Sequence, residues 1–171
     1  TYYANLSVFR SAPDTWAIDQ VFPIMPIHRL SKKPNKLGHF ADLTCDSDGK
    51  LDQFIDNGKI KSLLPLHEFN QDEKYLIGLF LGGAYQEVMG NLHNLFGSTN
   101  AVHIRFTENG NYKVEHVIRG NTKSNVLEYL EHDPEILLER LRKSSELAIQ
   151  GGHLKIHDAQ KLIEHVEASL R

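Results

Sequence analysis

The hydrophobic periodicity of this chain changes near Gly120. Before that point, apolar residues alternate or form short runs, such as YLIGLFLGGAY at residues 75–85. Such patterns are typical of strands, whereas apolar residues three or four positions apart are typical of helices. We therefore predict an α+β chain, mainly β, with a β-barrel or sandwich domain over residues 1–120 and a helical region over residues 121–171.

Three helices are predicted in the second region. The first covers residues 123–131, and the second begins at Asp133-Pro134, an N-cap acid followed by proline at the first helical position. The second helix runs to about Gln150, where Gly151-Gly152 ends it. The last helix carries apolar residues at core spacing: Ala159, Leu162, Ile163, Val166 and Leu170.

In the first region, strands are predicted at residues 5–9 and 38–45. A buried strand is predicted at residues 75–85, running into a turn at its two glycines. Residues 16–30 are apolar but contain two prolines, which indicates an irregular extended segment. Asn109-Gly110 separates two alternating stretches and predicts a hairpin, because Asn-Gly tolerates the positive φ of a type I′ turn.

Composition excludes several classes of protein. No apolar run approaches the roughly 20 residues that span a bilayer, and no basic stripe with interleaved aromatics suggests nucleic-acid binding. One cysteine in 171 residues cannot form an internal disulfide, which favours a reducing compartment such as the cytoplasm. The chain begins without methionine, so we expect a processed product or a fragment.

The stretch LTCDSDGKLD, residues 43–52, contains that single cysteine beside two carboxylates and a glycine. A calcium loop is one interpretation, but Thr44 and Ile55 would then occupy its first and twelfth positions, without the bidentate glutamate. A hairpin turn rich in Asp, Ser and Gly is a second interpretation, with Cys45 as a small hydrophobic residue. Both alternatives remain open at this point.

A third interpretation of the same stretch is catalytic. An ordinary thiol is mostly protonated near neutral pH, and neighbouring carboxylates favour its neutral form, so Cys45 could donate a proton to a carbanion. Asp46 and Asp48 would suit a cationic ligand. The stretch therefore indicates an acid catalyst beside a site for a cationic substrate.

The second motif is LGGAYQEVMGNLHNLFG, residues 81–97. Its glycines let the backbone approach a ligand, and the hydroxyl of Tyr85 could bind a phosphate; a glycine-kinked strand end with a core tyrosine is the alternative. His153 and His157 have the i,i+4 spacing of two metal ligands, but no third ligand is evident, so no metal site is predicted. His28-Arg29 and residues 91–94 are candidate polar groups of a pocket.

Four stretches taken in order resemble one family: YYANLSVFRS, WAIDQVFPIMPIHRL, LTCDSDGKLD and LGGAYQEVMGNLHNLFG. They are similar to the C-terminal part of the biosynthetic arginine decarboxylases, pyridoxal-phosphate enzymes with an alanine racemase-like fold. The resemblance implies an N-terminal β/α barrel that carries the cofactor on a lysine. It also implies a C-terminal β domain that completes the site across the interface of a homodimer or higher homo-oligomer.

The resemblance assigns roles in decarboxylation of L-arginine to agmatine and CO2, a step of polyamine biosynthesis. Cys45 would protonate Cα after CO2 leaves. Asp46 would contact the substrate's guanidinium from the partner subunit, and Asp48 is a second candidate for that contact. A carboxylate pairs well with a planar guanidinium, which agrees with this assignment.

On the cofactor side, the resemblance implies that Tyr85 hydrogen-bonds the cofactor phosphate. His93 or Phe96 would line the substrate end of the pocket. Magnesium is a further cofactor that the family suggests, without a site in this sequence. No lysine stands in the context of the cofactor lysine, so the chain is expected to be an inactive fragment by itself.

Three alternatives remain open. The nearer one is ornithine or diaminopimelate decarboxylation within the same family. The more distant ones are a stand-alone β module that binds a cation and a non-catalytic relative of the decarboxylase. A binding module would need Asp46 but not Cys45. A non-catalytic relative should have lost the residues that carry out the chemistry, but Cys45, Asp46 and Tyr85 are all present.

Overall fold

The computed structural model describes residues 1–171, which divide into two units, Thr1–Ser98 and Thr99–Arg171. Helices and strands both occur, so the predicted α+β class is confirmed. The strands form five small sheets of two or three strands, and no closed barrel is present. The predicted domain boundary at residue 120 stays a prediction.

The first unit contains nine short strands and three short helices. Its strands are β1 (Tyr2–Tyr3), β2 (Ile24–Pro26), β3 (Lys36–Gly38), β4 (Phe40–Ala41), β5 (Lys50–Leu51), β6 (Phe54–Asp56), β7 (Lys59–Lys61), β8 (Leu64–Leu66) and β9 (Ile77–Leu79). Its helices are α1 (Val8–Ser11), α2 (Pro13–Ala17) and α3 (Ala84–Met89), and a 3₁₀ turn covers His93–Leu95.

The strands of this unit pair both across turns and between distant segments of the chain. β4 lies between β1, which is parallel to it, and β5, which is antiparallel. The other pairs, β2 with β9, β3 with β8 and β6 with β7, are antiparallel. Side chains from these strands, from α1 and from the segment before β2 form one buried cluster: Val8, Phe22, Ile24, Phe40, Leu51, Phe54, Leu64 and Leu66.

The prediction of a strand at residues 5–9 is wrong. The chain turns into α1 at Val8 because Ser7 caps this helix: its Oγ accepts the backbone N–H of Arg10 at 3.3 Å. A serine side chain at this position satisfies an N–H that the first helical turn leaves free. The prediction for residues 75–85 is also wrong in extent, since β9 ends at Leu79 and α3 contains Tyr85.

The second unit begins with a hairpin of β10 (Ala101–Phe106) and β11 (Tyr112–Ile118). The predicted hairpin is confirmed, but its type I′ turn is wrong. Gly110 has a positive φ of 77°, Asn109 does not, and the N–H of Gly110 donates to the carbonyl of Thr107 at 3.0 Å. A longer loop with a single left-handed glycine therefore closes the hairpin.

The three predicted helices are present as α4 (Lys123–Tyr129), α5 (Pro134–Gln150) and α6 (Ile156–Leu170). Thr122 and Asn125 form a capping box at the start of α4. Asp133 caps α5 by accepting the N–H of Glu135 at 2.8 Å, as its sequence position predicts. None of the helices combines the length and apolar character that a membrane span requires.

Candidate active site around the acidic turn

The acidic turn, residues 42–49, connects strands β4 and β5. Phe40 pairs with Leu51, so the turn leaves a three-stranded sheet and returns to it directly. The N–H of Asp42 donates to the carbonyl of Gly49 at 2.8 Å, and the N–H of Gly49 donates to the carbonyl of Asp46 at 3.1 Å. Strands flank this turn, whereas helices flank the calcium-binding loop of an EF-hand. The calcium interpretation is therefore not supported.

A buried carboxylate sets the conformation of this turn. Asp42 is 6% exposed, and its Oδ1 accepts the N–H and the hydroxyl of Thr44 at 2.8 and 2.6 Å. Its Oδ2 accepts the N–H of Val8 at 2.8 Å, which joins the turn to the first residue of α1. Asp42 therefore fixes the start of α1 and the residue before Cys45 at the same time.

Gly49 is required at the other end of the turn by close contact. A Cβ at this position would lie 2.1 Å from Oδ1 of Asp42 and 2.5 Å from Oγ1 of Thr44. Both distances are far below van der Waals contact. The glycine that follows Asp48 is therefore required because no side chain fits at this position, and not only because glycine is common in turns.

Asp46 contacts the segment that follows α3. Its Oδ2 lies 2.7 Å from Nε2 of His93 and accepts the side-chain amide of Asn94 at 2.9 Å. The hydrogen bond from His93, and then that from Asn94, lower the pKa of the Asp46 carboxyl below its ordinary value. Asp46 is therefore held as a carboxylate, with its side chain 40% exposed.

Aromatic packing supports the histidine. The ring of His93 lies on that of Phe9, with centroids 4.6 Å apart, and Phe9 in turn meets Trp16 edge-on at 5.3 Å. Phe9 belongs to α1, the helix whose start Asp42 fixes. Contacts therefore link Asp42 to α1, α1 to His93, and His93 to Asp46, which lies in the same turn as Asp42.

The two candidate acids lie in different surroundings. Asp48 is exposed and faces a shallow groove, which it shares with Trp16, Lys50 and Asp52. Lys50 forms an ion pair with Asp52 at 2.9 Å, and the pKa of Lys50 is raised by Asp52 and, to a smaller extent, by Asp48. Asp46 and Asp48, two residues apart, are thus not brought together by the turn.

Cys45 and Tyr85, the candidate proton donor and phosphate ligand, are both exposed. Cys45 stands in the turn with a free thiol. Tyr85 is 77% exposed on α3, and no hydrogen bond or ring contact joins it to the turn. Arg10 holds α3 in place, since its guanidinium donates to the carbonyls of Glu87 and Gly90.

The remaining polar candidates have structural partners. Nδ1 of His28 accepts the N–H of Leu76 at 3.3 Å, and Arg29 pairs with Glu73. This ion pair lowers the pKa of Glu73. No group of three or more His, Cys, Asp or Glu side chains could hold a metal ion, so neither the pair His153 and His157 nor the magnesium expectation gains support.

Sequence reasoning missed two parts of this site. One is Asp42, whose position two residues before Thr44 is typical of an Asx turn and could have indicated its role. The other is the pairing of Asn94, a predicted pocket group, whose amide shares the oxygen of Asp46 with His93 across a separation of 48 residues. No local pattern predicts such a contact, because it depends on how the two segments pack.

Comparisons with known proteins point to one family. The chain is 72% identical over all 171 residues to the biosynthetic arginine decarboxylase of Prochlorococcus marinus strain MIT 9313, and 70% identical to that of Synechococcus sp. strain RCC307. Residues 124–171 match the family described as arginine decarboxylase C-terminal helical extension. The resemblance to biosynthetic arginine decarboxylase is confirmed.

A solved structure shows the same fold. The crystal structure of the biosynthetic arginine decarboxylase SpeA from Campylobacter jejuni matches 99% of this chain with a TM-score of 0.69 and 35% identity. The chain covers 28% of that protein, and 26% and 27% of the Prochlorococcus and Synechococcus proteins. It thus spans about a quarter of the length of the relatives it matches.

Proposed function

We propose that this chain is the C-terminal part of an enzyme that converts L-arginine to agmatine and CO2 in polyamine biosynthesis. The observation that carries the proposal is the Asp46 carboxylate, held half-exposed by His93 and Asn94 one residue after a free thiol. The high identity to biosynthetic arginine decarboxylases along the whole chain supports it. In this proposal the small sheets of the first unit belong to a β-barrel domain of the complete enzyme.

Asp46 is the residue we assign to the guanidinium of arginine. Both of its hydrogen bonds end on Oδ2, so Oδ1 accepts neither of them. A charge-assisted bond between a carboxylate and a guanidinium is about twice as strong as a neutral hydrogen bond. Asp48 is the second candidate, but its carboxylate lies in an open groove with Asp19, Lys50 and Asp52, and no side-chain donor orients it as His93 and Asn94 orient Asp46.

Cys45 is the residue we assign to proton transfer. After CO2 leaves, the S–H bond of Cys45 breaks and a C–H bond forms at Cα of the substrate. Because the thiol is exposed, the resulting thiolate can regain its proton from water when the product leaves. Its place beside Asp46 puts the donor and the cation site in one turn, and this turn is fixed by Asp42.

Tyr85 is the residue we assign to the phosphate of pyridoxal phosphate. Its side chain is exposed, and the backbone at Gly83, two residues before it, is open to a ligand, since a Cβ there would meet no atom within 4 Å. These features fit the group. When bound, pyridoxal phosphate supplies the electron sink that permits loss of CO2.

The remaining parts of the proposal concern the complete enzyme. The N-terminal barrel would carry the cofactor lysine, and the site would be shared between subunits of a cytoplasmic homodimer or higher homo-oligomer. His93 would contribute to the substrate end of the pocket. The isolated chain should therefore release no CO2 from arginine.

The test is CO2 release by the full-length enzyme from arginine, ornithine, lysine and diaminopimelate. We expect release from arginine alone. Cys45→Ala should lower kcat about a hundredfold, the usual contribution of a general acid, or change the product. Ser47→Ala, which alters an exposed side chain of the same turn, is the matched control and should leave the rate unchanged.

The same assay separates the two acids and the alternative functions. Asp46→Asn should raise KM for arginine at least tenfold, the loss expected for a charged hydrogen bond, and Asp48→Asn should not. Release from ornithine or diaminopimelate instead would keep the family and overturn the assignment of Asp46. No release from any substrate, with cofactor bound, would favour a binding module or a non-catalytic relative.

A further inference from the structure

The two hydrogen bonds on Asp46 share one oxygen. Nε2 of His93 and Nδ2 of Asn94 both reach Oδ2, at 2.7 and 2.9 Å. An ionised carboxylate offers about four lone-pair positions, two on each oxygen. The His93–Asn94 pair therefore fills Oδ2 and leaves the two positions of Oδ1.

The geometry of the donors is built by the fold. His93 is half-buried against the ring of Phe9, which is itself 9% exposed, and this packing fixes the plane of the imidazole. Asn94 has a φ of 54° and Leu95 a φ of 63°, both in the left-handed region. Two consecutive non-glycine residues rarely adopt this conformation, which costs energy and often marks a functional site.

The acceptor is held from its own side as well. Thr44, two residues before Asp46, is bonded to the buried Asp42 through its N–H and its hydroxyl. Asp42 also accepts the N–H of Val8, next to Phe9 in α1. Donors and acceptor are thus anchored through the same short helix, so their relative positions depend on few flexible bonds.

We propose that His93 and Asn94 are positioning residues that bind Oδ2 of Asp46 and so present Oδ1 as the recognition point for the substrate's guanidinium. The inference rests on the proposed function and deepens it. In this role His93 acts through Asp46 and not by direct contact with arginine, because its Nε2 is already engaged. The pair thereby selects a cationic substrate over a neutral one of the same shape.

The selectivity follows from charge. A carboxylate that donors hold in place attracts a guanidinium strongly but gains little from a neutral urea group. L-Citrulline has that neutral group in place of the guanidinium, so it is a suitable competitor. Loss of the positioning pair should weaken arginine binding more than citrulline binding, whereas general damage to the pocket should weaken both equally.

The experiment uses the full-length enzyme with three variants. His93→Phe keeps an aromatic ring against Phe9 but removes the N–H donor, and His93→Gln keeps an N–H donor at a similar reach. Asn94→Gly removes the amide while retaining the left-handed backbone. KM and kcat for arginine and the inhibition constant of citrulline are measured for each, with melting curves to verify folding.

We expect His93→Phe to raise KM for arginine about tenfold, as for loss of a hydrogen bond to a charged group, with kcat within about threefold. The citrulline constant should change less than twofold, and His93→Gln should restore most of the arginine KM. Asn94→Gly should behave like His93→Phe with a smaller effect.

Three outcomes would overturn the inference. Unchanged KM in both His93→Phe and Asn94→Gly, in an enzyme that decarboxylates arginine, would exclude the positioning role but leave the proposed function in place. Equal loss of arginine and citrulline binding would reduce the pair to a structural role. Absence of arginine decarboxylation in the unsubstituted enzyme would overturn the proposed function together with this inference.

Discussion

Two aspartates fix the start of a helix in this molecule, and they do so over very different distances. Asp133 accepts the N–H of Glu135, two residues ahead, at the beginning of α5. Asp42 accepts the N–H of Val8, 34 residues behind it, at the beginning of α1. The chemistry is the same in both places, a carboxylate that satisfies a free N–H of the first helical turn.

The two differ in what else depends on them. Asp133 is exposed and serves its own helix only, so its sequence neighbours suffice to predict it. Asp42 is buried and also holds Thr44, which leads into the acidic turn. A cap that acts across the chain therefore couples the fold of the first unit to the candidate site, while a local cap does not.

The largest expected effect comes from removing the long-range cap. Asp42→Ala deletes three hydrogen bonds and leaves the N–H of Val8 without its acceptor in a residue that is 1% exposed. An unsatisfied buried N–H costs about 1–3 kcal/mol, and with the lost turn bonds we expect about 3 kcal/mol. Urea unfolding of the chain, followed by the fluorescence of its single tryptophan, Trp16, measures this loss.

Asp42→Asn is the matched control. The amide keeps one acceptor oxygen but replaces the other with a donor, so about half of the loss is expected. A variant Asp42→Ala that unfolds at the same urea concentration as the unsubstituted chain would show that the carboxylate does not fix the turn.

The local cap should matter less. Asp133→Ala removes one exposed hydrogen bond at the start of α5, and the usual cost of such a change is about 1 kcal/mol. Far-ultraviolet circular dichroism is the appropriate measurement, because the second unit contains the long helices. Asp133→Ser, which retains a capping oxygen, should recover most of the loss.

A loss as large for Asp133→Ala as for Asp42→Ala would show that the local cap is as important for stability as the long-range one. It would mean that other parts of the structure, besides α5 itself, depend on the start of this helix. A loss below the error of the measurement would instead indicate that Pro134 alone sets the start, since its fixed φ suits the first helical position.

The same distinction explains what could be predicted from the sequence. The sequence predicts α4 and α5 with both ends to within two residues, because caps, proline and glycine act within a few residues, and it predicts α6 from its apolar spacing alone. The strand predicted at residues 5–9 failed because Ser7 and the distant Asp42 turn that segment into a helix. The type I′ turn failed because a longer loop left only Gly110 in the left-handed region.

The candidate site divides in the same way. The motif around Cys45 and Asp46 is readable locally, since its residue types stand side by side. The pairing of Asp46 with His93 and Asn94 joins segments 47 and 48 residues apart, and only the packed structure brings them together. Sequence could name His93 as a candidate but could not separate Asp46 from Asp48.

The smallest expected effect concerns a third aspartate, Asp46, whose partners are side chains instead of backbone N–H groups. The hydrogen bonds from His93 and Asn94 lower its folded-state pKa below the ordinary 3.8. A carboxyl whose pKa is lowered on folding contributes stability at pH values above the ordinary value, and this contribution disappears as the pH falls through the folded pKa. The free-energy difference between the unsubstituted chain and Asp46→Asn should therefore shrink as the pH falls below about 4.

Urea unfolding at pH 7, 5, 4 and 3 tests this dependence, with Asp46→Asn compared in two backgrounds. In the double variant His93→Phe with Asn94→Gly the donors that lower the pKa are gone, so the difference should no longer change with pH in this window. A pH-dependent difference that persists in that background would place the cause elsewhere in the turn. Loss of the pH dependence in that background would establish that His93 and Asn94, which lie 47 and 48 residues from Asp46 in the sequence, keep Asp46 ionised. Asp42, in contrast, determines the conformation of the same turn.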